Sequence, residues 1–182
     1  MSILLDKIRT LYYTVKYQYI LQRATFGPGT TIRCKLSIVG PGQISIGSNC
    51  IISSGSFDDD YVTIYTHQPK AKIVIGNNVI LRATRFGSHL SIKIDDGAVI
   101  ESVSLFDTDF HNIDATMRDK DVNKKDRPVV IGKNCYVGRQ CLCSKGTTLN
   151  FGVTLLPGSV IGTKTIPEGK FVSGNPAMPL RQ

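Results

Sequence analysis

The stretch from Ile131 to Ile166 reads IGKNCYVGRQCLCSKGTTLNFGVTLLPGSVIGTKTI, and it decides the fold. Ile131, Val137, Cys143, Leu149, Leu155 and Ile161 are all apolar and stand six positions apart. Four positions after each come Cys135, Cys141, Thr147, Val153, Ser159 and Thr165, which are all small or β-branched. A hexapeptide period sustained this long predicts a parallel β-helix. Each six residues form one short strand and a corner, so three of them close a triangular coil of about eighteen residues. The aliphatic column points into the prism, and the small column sits beside the corner, where room is least.

The same beat runs upstream in broken form. Ile46-Gly47-Ser48-Asn49-Cys50 and Ile75-Gly76-Asn77-Asn78-Val79 share its shape. Ile94-Asp95-Asp96-Gly97-Ala98 follows, with Ile100 and Phe106 expected inward at steps of six. Gly, Asn and Asp recur after the inward aliphatic because tight corners need positive φ or side-chain bonds to the backbone. A β-sandwich would show turn signals about every 8–12 residues and no fixed phase. The fold class is therefore all-β, a parallel β-helix of hexapeptide repeats.

Composition agrees with one domain of 182 residues, and 17 glycines suit a chain with many corners. No apolar run reaches the roughly 18 residues of a membrane span. The segment from Met1 to Leu21 carries charges and tyrosines and no small-residue cleavage site, so no signal peptide is expected. Five cysteines, an odd number, argue against a disulfide framework, and reduced thiols fit a cytoplasmic protein. Cys135, Cys141 and Cys143 fall on the repeat columns, as small core residues would. Cys141 and Cys143 are expected to face opposite ways, which would deny a metal the pair, so no metal site is expected. The net charge of +8 is dispersed, without the basic run or aromatic platform of a nucleic-acid binder. It fits attraction to an anionic small molecule or membrane surface, or simply a solvated basic surface.

Residues 1–23 differ in kind. From Ser2 to Arg23 there is no Gly or Pro, and Leu4, Ile8, Leu11, Val15 and Tyr19 recur at helical steps. Lys7, Arg9, Lys16 and Arg23 against Asp6 make this amphipathic helix basic. A repeat stack has a raw end that must be capped, and the helix can cover it. A basic, Tyr-rich helix can also lie on an anionic membrane, here the inner face.

The phase fails after Phe106 and resumes near Pro128, leaving a polar, charged excursion over residues 107–127. Long excursions from a rigid scaffold are commonly functional. This one opens with Asp107, Asp109 and His111 at alternate positions, which an extended strand places on one side. A carboxylate beside an imidazole fixes its tautomer and raises its basicity, which suits a general base.

The repeat, the Asp107-Thr-Asp-Phe-His111 segment, Pro128-Val-Val-Ile-Gly-Lys-Asn-Cys-Tyr-Val-Gly138 and the tail Gly174-Asn-Pro-Ala177 resemble the hexapeptide-repeat acyltransferases. Within them the β-helix domain, residues 24–182, is most similar over about residues 26–182 to O-acetyltransferases of bacterial surface polysaccharides. The resemblance implies a left-handed β-helix, a homotrimer with sites between subunits, and acetyl-CoA as co-substrate. It implies His111 as general base, with Asp109 or Asp107 orienting its ring. It places CoA against Gly138, Ser144, Gly158, Lys164, Asn175 and Arg181. The acceptor it implies is a hydroxyl of a sugar, nucleotide-sugar or lipid-linked saccharide. Sugar N-acetylation, or a non-catalytic scaffold, are the alternatives. Tyr136 stands where members commonly carry Trp, Leu149-Asn150 where they carry Ile-Gly, and Pro157 where they offer a free N–H. Zinc held by three histidines, as in carbonic anhydrases of this fold, is disfavoured. His67, His89 and His111 are 22 and 22 apart, which misses an eighteen-residue register.

Overall fold

Each strand carries an aliphatic that has nowhere to go but inward, and stacking these side chains builds the molecule. In the computed structural model, which describes residues 3–55, 61–112, 114–118, 120 and 125–181, successive strands pass in turn to three parallel sheets. Their registers align three inner columns. Ile46, Ile75, Ile94, Ile131, Leu149 and Ile166 line the first sheet. Ile32, Ile52, Leu81, Ile100, Val137, Leu155 and Val172 line the second. Ile38, Ile64, Phe86, Leu105, Cys143 and Ile161 line the third. All are buried, and each aliphatic so placed stabilises the fold by about 1.5–3 kcal/mol.

The corner from the first to the second sheet forms a continuous stack. Asn49, Asn78 and Asn134 adopt φ 56°, and Gly97 and Gly152 take left-handed values in the same column. The Asn134 N–H donates to Asp96 O (3.0 Å) and the Gly152 N–H to Lys133 O (2.9 Å). Asn and Gly tolerate this conformation, which is why they follow the inward aliphatic.

The phase expected from the sequence slips in two places. Leu105, not Phe106, is the inward residue, because Ser102 at φ 49° turns the corner in one residue fewer. Phe106 therefore points outward. Likewise Leu149 pairs with Ile166, one short of the eighteen positions that separate Ile131 from Leu149. Thr165 then falls on the outer face and is exposed, while Cys135, Cys141, Thr147, Val153 and Ser159 are buried as their column requires. Cys141 and Cys143 do not face apart. Both are buried, as alternate residues on one face are. All five cysteines are buried, and none forms a disulfide. Burial pushes those of Cys50, Cys135, Cys141 and Cys143 above the usual thiol range.

The first coil would leave a row of unpaired backbone groups, and helix side chains take them. The helix Ile3–Thr14 (α1) runs into a π-helical turn over Val15–Ile20. Thr10 Oγ1 accepts from Ile32 N–H (2.8 Å) and Gln18 Oε1 from Phe26 N–H (2.9 Å). The buried Tyr17 hydroxyl accepts from Ile38 N–H and donates to Leu36 O, both at 3.1 Å. At the other end Phe171–Gly174 and Ala177–Pro179 form an antiparallel hairpin. No helix among the described residues is long and apolar enough to cross a membrane.

Candidate active site

The chemistry gathers on one edge of the prism, where the third sheet hands over to the first. In successive coils this edge carries His67, then His89, then the excursion 107–127, then Ser144-Lys145, then Lys164. Of the excursion, Ile113, Asp119 and residues 121–124 lie outside the described residues.

Asp107 is fully buried at the root of the excursion. Its carboxylate accepts from Ser88 Oγ (2.6 Å) and from the N–H groups of His89 (2.7 Å), Leu90 (2.8 Å) and Ser91 (2.6 Å). A carboxylate with four donors is satisfied. Its work is to clamp the turn bearing His89, one coil away. Its backbone oxygen accepts from Arg127 N–H (3.0 Å), which closes the far end of the excursion. Asp109 receives the Lys145 ammonium from the next coil. The His111 N–H donates to Asp109 O (2.6 Å), and His111 itself is exposed. Among the described residues, neither carboxylate bonds the His111 imidazole. Further along, Asp114 caps the short turn Ala115–Met117, and its hydrogen bonds from Thr116 hold its carboxyl below the usual range.

Sequence reasoning missed the partnership around His89. His89 Nδ1 lies 3.5 Å from Asp126 Oδ2. The His67 and His89 rings sit 4.7 Å apart, with Phe110 packed 5.2 Å from His67 and Tyr65 and Phe106 completing an aromatic cluster. Burial, then the neighbouring His89, lowers the His67 pKa from its ordinary value, while Asp107 opposes them. The signal was present. His67 and His89 are 22 apart, and so are the paired residues Ile64 and Phe86, so here 22 is one coil. The next step is shorter, since Phe86 pairs with Leu105, and His111 falls beyond the stack into the excursion.

The residues assigned to CoA divide between two edges. Gly138 and Gly158 stack on the corner from the second to the third sheet, and a Cβ at Gly138 would meet the Pro157 ring at 2.8 Å. Ser144 and Lys164 stand on the opposite corner, where the Ser144 N–H donates to Ile161 O (2.8 Å). Lys164 Nζ lies 2.7 Å from Met178 Sδ, which draws that part of the tail toward this edge; Asn175 and Arg181, elsewhere in the tail, are exposed. A ligand touching both edges has to cross the outer face of the third sheet, over Leu142 and Val160. Of the arginines near the upstream coils, Arg82 pairs with Glu101, and Arg85 bonds the Tyr61 hydroxyl. Tyr136 also donates to Glu101 (2.9 Å). No group of three or more His, Cys, Asp or Glu among the described residues is placed to hold a metal.

Among solved structures the chain is similar to a single-site variant of AntD, an N-acyltransferase from Bacillus cereus in complex with dTDP and coenzyme A. That match has TM-score 0.67 and 21% identity and covers 86% of this chain and 82% of that one. The chain has the fold of the left-handed β-helix acyltransferases. A galactoside acetyltransferase in complex with coenzyme A matches with TM-score 0.56 at 19% identity, over 98% of this chain and 79% of the other. The acetyltransferase domain of PglB from Neisseria gonorrhoeae matches with TM-score 0.54 at 20% identity, over 83% of this chain and 57% of the other. No protein-family model matches the sequence, and neither does any curated protein.

Proposed function

We propose that the protein transfers an acetyl group from acetyl-CoA to a hydroxyl of a sugar, using His111 as general base. The observation that carries this reading is the placement of His111. It is exposed on the catalytic-looking edge, and its segment is pinned to the neighbouring coils through Asp109–Lys145 and through the backbone of Asp107. An imidazole on a fixed stalk, free of intramolecular partners among the described residues, is available to a substrate. Such exposure also suits a site completed by a second subunit, so the working unit is a homotrimer, with coenzyme A running along the third sheet between two chains. Solved structures of this fold hold coenzyme A, which supports that donor.

In the proposed step the acceptor oxygen attacks the thioester carbonyl while His111 takes its proton. The tetrahedral oxyanion then collapses and expels the thiolate of coenzyme A, which takes the proton back from the imidazolium. Asp109 acts through Lys145 and holds the segment in place. Amine acylation by the same geometry is the second reading, favoured by the likeness to an N-acyltransferase solved with dTDP.

Incubating acetyl-CoA with sugars, nucleotide sugars and lipid-linked saccharides, and reading released thiol, identifies the acceptor. With that acceptor, His111→Ala is expected to lower turnover by roughly 10²–10⁴ without changing coenzyme A affinity. A variant with near-normal turnover removes His111 from the mechanism and makes His89 the next base to test. A catalytically competent monomer by light scattering removes the shared site.

A further inference from the structure

The helix α1 is mounted the wrong way round for a simple plug. Across the helical segment Ile3–Ile20 the inward face is tied down by hydrogen bonds: Thr10, Tyr17 and Gln18 bond the first coil, Asp6 lies 3.6 Å from Arg33, and Tyr13 packs beside the buried Tyr17. The apolar stripe points away from the prism, with Leu4 65%, Ile8 57%, Leu11 65% and Val15 39% exposed. Tyr12 and Tyr19 extend it at 57% and 65%. Capping the stack does not require this stripe, since the bonds that close the first coil come from the opposite face. Water-facing aliphatic side chains at four consecutive helical steps are unfavourable without an occupant.

Charge selects the occupant. At about 3.6 residues per turn Lys7 falls on one flank of the stripe, and Lys16, in the π-helical turn, lies by Tyr12 on the other. Lys16 Nζ rests over the Tyr12 and Tyr17 rings, 5.8 and 5.1 Å from their centroids. Asp6, the one carboxylate of the segment Ile3–Ile20, is turned inward onto Arg33. Two copies packed stripe to stripe would bring these lysines together with no helix carboxylate to meet them. An acidic headgroup layer over an acyl interior meets both features at once, with lysine stems reaching outward and tyrosines at the boundary.

We infer that the helical segment Ile3–Ile20 lies flat in the surface of an anionic lipid bilayer, with Leu4, Ile8, Leu11 and Val15 in the acyl boundary and Lys7 and Lys16 among the headgroups. Full-length protein is sedimented with vesicles of phosphatidylcholine alone and with vesicles containing about 30% phosphatidylglycerol. It is expected to pellet with the acidic vesicles and to be released by salt. Lys7→Gln weakens that binding about fivefold, and the double variant Leu4→Ser/Leu11→Ser weakens it by about tenfold or more. Both variants alter only exposed side chains, so their melting temperatures stay at the parent value. Three outcomes overturn the inference: parent protein left in the supernatant with both vesicle types, a double variant that pellets like the parent, or a double variant whose oligomer falls apart by light scattering. The last would make the stripe a contact between copies of this chain.

Discussion

From Ile131 to Ile161 the corners are closed by the backbone itself. Gly152 donates to Lys133 O, Gly158 to Arg139 O and Thr163 to Lys145 O, so each coil registers on the one before. On the upstream part of the edge bearing the histidines, side chains add to backbone bonds such as that from His67 N–H to Ser88 O. The Asp107 carboxylate holds the turn Ser88–Ser91, Lys145 reaches to Asp109, and Asp126 reaches to His89. Backbone closure demands a fixed length, and the six-residue beat is its trace in the sequence. Side-chain closure tolerates any length between its partners, so the chain there is free to carry chemistry, and the beat disappears.

The difference is sharpest at adjacent residues. Leu105 is fully buried in the third column, while Phe106 leans outward on Tyr65 and Phe110. Leu105→Ala is expected to cost about 2–5 kcal/mol of stability by leaving a cavity. Phe106→Ala costs about 1 kcal/mol, the worth of an aromatic pair on a surface. Denaturant unfolding of both variants checks this, and equal losses would mean the corner at Ser102 had been read one residue out.

The regular coils were legible because period and burial coincide there, residue by residue from Ile131 to Ile161. The slips at Phe106 and Thr165 were not legible, because Ser102 and Thr163 adopt positive φ without being Gly or Asn. On the edge, Asp107, Asp109 and His111 were singled out by their alternation, yet alternation speaks only for an extended strand. The structure turns the chain at Phe110, φ 59°, and sends the two carboxylates to different coils. Lys145 and Asp126 left no local mark, since their partners lie 36 and 37 positions away in sequence. The helix was legible as a helix, but which face it buries depends on the raw edge of the first coil, where hydrogen bonding outweighs the apolar stripe.

Asp107→Asn tests whether the side-chain clamp holds the edge. The amide keeps one acceptor oxygen but turns an N–H₂ toward donors, so the variant loses about 1–3 kcal/mol of stability. Hydrogen exchange should rise at His89, Leu90 and Ser91 while the corners at Gly152 and Gly158 stay protected. Uniform loosening along the prism would show that this turn is not a local unit. The Asp109–Lys145 pair keeps 28% and 21% of its side chains exposed, and solvent screening there holds the cost of Lys145→Met to about 1 kcal/mol. It should still lower turnover by roughly fivefold through a misplaced His111 segment. Asp109→Asn should do the same, and the double variant should be no worse than either single one if the two act as a pair.

The smallest effect concerns the stacked imidazoles. Burial and the adjacent His89 disfavour a charge on His67, so its pKa is lower in the folded chain than in the unfolded one. The unfolded chain therefore takes up a proton first as pH falls through the ordinary imidazole range, near 6.5. The contribution of His67 is fully present above that range and is lost progressively as pH drops toward the folded value. His67 is exposed to solvent, which screens the repulsion and keeps the change small. The parent protein should lose more melting temperature between neutral and mildly acidic buffer than His67→Gln does. The regular coils offer a control: a Thr154→Gln variant on the outer second sheet should leave the parent's pH slope as it was. If His67→Gln melts with the parent's full acid slope, the two imidazoles do not sense each other, and the edge owes its acid response to other groups.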